Sequence, residues 1–515
     1  MSTVDFYSKA EHNNNNKSLL FFFGVLLIAL LSGFYVQYLA ETTYGLVISY
    51  VMFALVVFCC LISLELSIKL YILVSLITPQ FSRTFVEQVV SSNNQDVDSF
   101  YSFHSVQFAG LGLSVISIIF IGFISICKLL YLHIKLEDRE ALLFFRGLYI
   151  VFIVLLFSTL VSGLIGRTPD IRYVISDFRM FIIWGVGALA AILLCRDERI
   201  IEKMYNVLLF SVLVIGLRTL LFFINDYITG RPNLEYATQA YIAYPLMFVF
   251  AMTIKNLIKR IIMTCVALLA AISMKREDIA FVFLCILAVF FLIVFLKDGR
   301  LRKNGLLALI VLVAVTFLAI FALAIYSPQS FDFLLYKFDF FSKLFSGDEQ
   351  SSGSVLVRLY ELQNIIGYSI NQIYPIFIGL GFGGYFDFSL TGYPIVLGVS
   401  DYSINELLTN KFVRPHSFTN FMYLKGGLIF LIYYLSLLFK MMRRSFILMR
   451  STLKTKLIYN VEFKMYLFCF LYAIFCVNMF WQPIHNFLFA FLLVLLLVKS
   501  KNISWDTVKN ENFSR

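Results

Sequence analysis

The chain has 515 residues, of which 60% are hydrophobic and 14% charged, and it carries a formal net charge of +11. That balance excludes a soluble globular domain. The excess of Lys and Arg points to loops on the cytoplasmic side of a membrane, where basic residues are favoured, and not to nucleic acid.

A polar tail, EHNNNNK, precedes an apolar run from Ser18 to Ala40 that is too long for a signal-peptide core and reads as a retained first span. Further apolar runs follow at 43–63, 66–79, 106–127, 141–163, 177–195, 204–225, 238–255, 259–274, 277–297, 304–327, 417–440, 463–481 and 484–499, the third and ninth being the shortest. They predict an all-α, polytopic transmembrane helical bundle of about 12–14 spans. Continuous apolarity, without the alternation of barrel strands, is what selects helices. Three regions result: amino-terminal spans over 1–327, a large outer loop over 328–416, and carboxyl-terminal spans with a tail over 417–515. The eight cysteines form no CxxC pair and read as small hydrophobes in helices, so no metal or disulfide is expected.

The basic stretches Lys297–Lys303 and Lys440–Lys456 are expected in cytoplasmic loops. Alternation then places Gln80–Ser105 and Pro328–Arg414 on the outer side. Within the second, Leu356–Ile370 reads as an amphipathic helix with Leu359, Leu362, Ile366 and Ile370 on its apolar side. The glycines of GLGFGG, 379–384, are expected to make a tight turn against the membrane surface; the alternative is that their backbone N–H groups hold a phosphate.

Several cations face outward against the general bias: Arg167, Arg172, Arg179, Arg218, Lys275, Arg276, Arg358 and Arg414. Asp170 and Asp177 could neutralise Arg172 and Arg179, and Glu277 and Asp278 could neutralise Lys275 and Arg276. The competing expectation is that these cations converge on an anion such as a lipid diphosphate, whose oxygens suit the planar arginine fork. His416 stands where the outer loop meets a span, with Pro415 fixing the entry and Ser417 or Thr419 available to cap the helix. Residue type leaves two roles open for it: a general base for a hydroxyl, or an imidazole hydrogen-bonded to the helix end.

HSFTNFMYLKGGL, with His416, Ser417, nine residues and Gly427, resembles the His-(Asn/Ser/Gln)-x9-Gly element of the bacterial O-antigen polymerase and O-antigen ligase superfamily. SMKREDIAFVFL resembles that family's Ser-x-Arg turn, with Arg276 at the arginine. SVLVRLYELQNII and IGLGFGGYF resemble its arginine-bearing helix and glycine turn, with Arg358 at the arginine.

The resemblance implies a GT-C-like membrane glycosyltransferase with a large, partly helical periplasmic loop, working without cofactor or metal on the outer face of a bacterial inner membrane. The donor it implies is an undecaprenyl-diphosphate-linked glycan, with membrane lipids, a chain-length regulator and a flippase as further partners. His416 would activate the acceptor hydroxyl, with Asp401 and Glu406 in reserve. Arg276, Lys275, Arg358, Arg414, Arg172 and Arg179 would bind the diphosphate. Polymerisation of repeat units into a surface polysaccharide is the expected activity. Ligation of the glycan to lipid A core is the alternative, and glycan transport the reading from another class.

Overall fold

A computed structural model describes residues 20–40, 42–78, 101–108, 110–132, 139–167, 171–229, 239–271, 276–296, 298–326, 353–392, 402, 404–454, 459–478 and 482–500. Helices α1 (Leu20–Leu39), α2 (Thr43–Ile62) and α3 (Leu64–Ile77) are followed by a two-stranded hairpin, β1 (Gln107–Phe108) against β2 (Leu111–Gly112). Then come α4 (Leu113–Tyr131), α5 (Arg139–Leu164), α6 (Ile171–Leu194), α7 (Ile200–Thr229), α8 (Ala240–Thr253), α9 (Leu257–Ala271), α10 (Arg276–Leu296) and α11 (Gly299–Tyr326). The segment between α11 and the next long helix holds α12 (Gly353–Asn371), α13 (Tyr374–Ile378) and α14 (Ile404–Thr409). The chain ends with α15 (Phe418–Lys454), α16 (Val461–Phe475) and α17 (Pro483–Lys499).

Eight helices among the described residues are long and apolar enough to cross a membrane: α1, α2, α4, α5, α6, α7, α11 (over Leu301–Leu318) and α15. Three more apolar stretches, α8, Val282–Leu296 of α10 and α17, are shorter. The third and ninth expected spans form α3 and α9, of 14 and 15 residues. The protein is thus a multi-pass, all-α membrane protein.

Apolarity on every side is what buries a helix completely. Every residue of α8 is buried, and α17 is buried without interruption from Ile484 to Leu497. Helix α17 packs along α6, where the Trp184 indole N–H donates to Asn486 Oδ1 at 2.8 Å. Around that bond Trp184 stacks on Tyr434 at 5.9 Å and meets Phe430 and Phe489 edge-on or tilted. The outer helices instead present exposed Leu, Ile and Phe, such as Phe58, Phe123, Phe157, Leu160 and Phe317.

One expectation changes. The basic stretch after the twelfth apolar run is not a loop up to Lys454: α15 continues through it. KMMRRSFILMR contains no Gly or Pro to stop a helix, and Met441, Ser445, Leu448 and Met449 are buried. Its Arg444 pairs with Glu140 of α5 at 3.2 Å. The expected amphipathic helix forms as α12; its buried side carries Val357, Glu361, Asn364 and Ile365, and Leu359, Ile366 and Ile370 share the exposed side. An isolated amphipathic pattern shows which residues share a face but not which face meets protein.

Helix α15 is broken near its start. Gly427 adopts φ 57° and ψ −153°, so Phe418–Gly426 forms a short half-helix ahead of the long one. The break frees the carbonyls of Leu424 and Lys425, which accept from Leu380 N–H and Gly381 N–H, each at 2.8 Å. A Cβ on Gly427 would overlap the Phe377 carbonyl of α13, at a φ that L-residues rarely adopt. Gly427→Ala is therefore expected to lower the thermal unfolding temperature of the detergent-solubilised protein, the backbone strain alone being about 1–3 kcal/mol. Gly185→Ala on α6, where nothing lies within 4 Å of an added Cβ, is expected to leave it unchanged or raise it.

Candidate functional site

Most of the expected site residues gather where α12, the glycine turn, the start of α6 and the half-helix meet. The glycine turn is the frame. Gly379, Gly381 and Gly383 all have positive φ, and a Cβ on Gly381 would overlap the Thr159 backbone of α5. Its N–H groups are committed: Leu380 and Gly381 to the half-helix carbonyls, Phe382 to Thr159 Oγ1 at 2.7 Å, Gly383 to Asp177 Oδ2 at 2.8 Å. Ser158 and Ser162 of α5 hold the Gly379 and Leu380 carbonyls at 2.6 and 3.0 Å. A turn whose donors are spent on protein acceptors does not cradle a phosphate; the turn is tight, as expected, and it packs against α5 and the half-helix.

Asp177 and Lys425 form an ion pair at 2.8 Å with side chains 4% and 1% exposed. Lys425 also donates to the Gly384 carbonyl at 2.7 Å. The carboxylate expected near Arg179 is thus engaged by α15 and the glycine turn; Arg179 remains within electrostatic reach of both Asp177 and Arg414. Arg172, Ser176 and Arg179 sit at i, i+4 and i+7, on one face of α6. Arg414 reaches that face by donating from Nη2 to Ser176 Oγ. Arginines 172, 179 and 414 therefore share one stretch of surface, with Lys425 buried beneath it and also facing Arg414 and Glu406.

His416 is joined to Glu361 of α12. Its Nδ1 lies 2.5 Å from Glu361 Oε1, and its backbone N–H donates to both carboxylate oxygens at 3.1 Å. Tyr402 Oη donates to the same Oε1, and the Tyr402 ring meets the imidazole edge-on at 4.9 Å. A carboxylate can only accept, so the Nδ1–H donates to it. The carboxylate side chain is 0% exposed and the imidazole 27%, so the acid is sealed and the ring is half-buried. Phe386, Phe388, Tyr402 and Phe412 pack edge to face behind the pair, and Phe386 bridges to Phe412 as isolated β pairing. That packing fixes the extended stretch carrying Arg414 and His416.

Arg358 lies one turn before Glu361, and its carbonyl accepts from Asn420 Nδ2 of the half-helix at 3.3 Å. Ser417 stands just ahead of the half-helix: its carbonyl accepts the first helical bond, from Phe421 N–H at 3.0 Å, while its hydroxyl, expected to cap the helix, meets Thr419 Oγ1 at 2.7 Å. Glu406, a reserve base, is turned to bracing, accepting from Val413 N–H at 3.3 Å. Lys275 and Asp401 lie outside the described residues, and so does the side chain of Arg276, the first residue of α10. Arg167 stacks 3.5 Å over Tyr368 and bonds Tyr385 O and Asp387, tying α5 to the outer segment. Arg218 is buried in α7, where it donates to the Ile77 carbonyl of α3 at 2.5 Å.

Glu361, Tyr402 and Lys425 did not stand out in the sequence. Glu361 left one signal: an acid on the apolar-rich LVRLYELQNII, one turn after Arg358. Among the described residues no group of three or more His, Cys, Asp or Glu could hold a metal ion. Compared with protein-family models, curated proteins and solved structures, the chain returns no match.

Removing one partner of a buried ion pair strands the other, at a cost of about 3–5 kcal/mol. Asp177→Asn and Lys425→Met are each expected to lower the unfolding temperature strongly, and the double variant by less than the sum of the two. Thermal unfolding of the four proteins completes the cycle.

Proposed function

We propose that the protein is a membrane glycosyltransferase that elongates lipid-diphosphate-linked oligosaccharides on the periplasmic face of a bacterial inner membrane. One observation carries this most: an imidazole whose Nδ1 is held by a sealed carboxylate, two residues after an arginine that bonds the face of α6 carrying Arg172 and Arg179. A base and an anion site side by side are what transfer from a diphosphate leaving group requires. The resemblance of the His416–Gly427 element to the O-antigen polymerase and ligase superfamily points the same way.

In this scheme His416 Nε2 accepts the proton of the acceptor hydroxyl as its oxygen attacks the anomeric carbon. The bond from that carbon to the diphosphate oxygen breaks, and the electron pair leaves with the polyprenyl diphosphate. Arg414, Arg179 and Arg172 hold the charge that grows on the leaving phosphate, with Arg358 one turn from the dyad and Lys275 and Arg276 assigned the same role from the sequence. Glu361 orients the imidazole and stabilises its cation once the proton has moved. No step uses a metal or a nucleotide sugar.

The test is transfer by purified protein in nanodiscs supplied with a polyprenyl-diphosphate-linked repeat unit. Wild type is expected to build a ladder of longer glycans. His416→Ala should cost about 10²–10⁴-fold in turnover. Glu361→Gln should lower turnover with little change in the donor KM, whereas Arg414→Ala and Arg179→Ala should raise the donor KM. Transfer only when lipid A core is supplied would make the protein a ligase, the alternative that the same element supports. Full activity of His416→Ala would overturn the base assignment. Absence of transfer to either acceptor, with fluorescent lipid-linked glycan crossing proteoliposome membranes instead, would make it a transporter.

A further inference from the structure

Helix α12 turns Glu361 and Asn364 inward and an uncharged stripe outward. Leu359, Gln363, Ile366 and Ile370 follow one another at helical spacing along that stripe, and all four are exposed. It runs on beyond the helix through Ile373 and Phe377, and Ile370 and Ile373 are 64% and 67% exposed. Leu390, exposed as well, flanks it, for an added Cβ on Gly367 would overlap the Leu390 side chain. Six large apolar side chains uncovered side by side exceed what scattered surface hydrophobes explain.

What covers this face follows from what it adjoins. Helix α13 lies against α5: Tyr374 Oη is 3.4 Å from Ser162 Oγ, and Ser158 Oγ donates to Gly379 O at the end of α13. On α5 the neighbouring turns expose Phe157, Leu160 and Leu164, which belong to the apolar surface of a membrane-crossing helix. Ser158 and Ser162 lie in the last turns of that membrane-crossing helix, so the exposed Ile373 and Phe377 stand at the level where the span ends, and α12 leads into them. Amphipathic helices with such a face and little charge on it lie in the plane of the bilayer interface. We propose that α12 is an interfacial helix, seated with Leu359, Ile366, Ile370 and the adjoining Ile373 and Phe377 in the outer leaflet of the lipid bilayer.

Seated so, the helix holds Glu361, and through it the His416 ring, at the depth of lipid headgroups. The docking does not depend on the transfer chemistry, and its test involves no turnover. Tryptophan would be placed at Ile366 and, separately, at Ile370 of the full chain in nanodiscs, and the emission of the unsubstituted protein, with its three tryptophans, subtracted. The added emission is expected to be quenched by phospholipids brominated near the headgroup end of the acyl chain and to resist aqueous acrylamide. Quenching by acrylamide in preference to brominated lipid would overturn the proposal, placing the face in water. Resistance to both would overturn it too, showing that another part of the chain covers the stripe. Preserved thermal unfolding of each variant establishes that the result reports the native fold, and agreement between the two positions guards against a local effect of either substitution.

Discussion

The break in α15 at Gly427 is the constraint on which the outer half of the molecule depends. A helix interrupted inside a bundle exposes carbonyls that lipid cannot satisfy, so protein must supply donors. Leu380 and Gly381 do so, and only a chain with left-handed glycines can come close enough to reach Leu424 and Lys425. From that junction the rest follows. The turn is held in place by Ser158, Thr159 and Ser162 from one side and by the Asp177–Lys425 pair from the other. The half-helix it meets begins at Phe418, two residues after His416, so one irregularity sets both the frame and the position of the imidazole.

This explains why His416 and Gly427 stand eleven positions apart in this chain. Their spacing is set by the length of the half-helix, with Ser417 just ahead of it and Gly427 as its end. The nine residues between them need only helical character and a buried face, apart from Lys425, whose ammonium neutralises Asp177. The arginines are arranged by the same economy, because Arg414 comes just before the half-helix and meets α6 through Ser176.

Much of the membrane architecture was legible from apolar run length alone, since 18 or more apolar residues have few other uses. Short buried helices such as α8 and α17 were also visible, because they are apolar on all sides. The end of α15 was not, because positive charge argues for a loop only where nothing else keeps the helix going. The shared face of Leu359, Ile366 and Ile370 on α12 was legible, but not which way it turns, because the opposite, buried side contains Glu361 and Asn364. His416 was singled out by residue type and place. Glu361 was not, because it lies 55 positions away and acquires its meaning only from the contact.

That separation has a consequence in time. Ribosomes deliver α12 before α15, so the carboxylate of Glu361 exists in the growing chain before the imidazole that it orients. Until the stretch around His416 is made and the half-helix settles against the glycine turn, Glu361 has neither the ring nor the His416 amide as a donor. The pairing therefore cannot form until α15 is being made. A chain halted before residue 416 has Glu361 and the glycine turn, but neither the imidazole nor the half-helix carbonyls and Lys425 on which that turn is built.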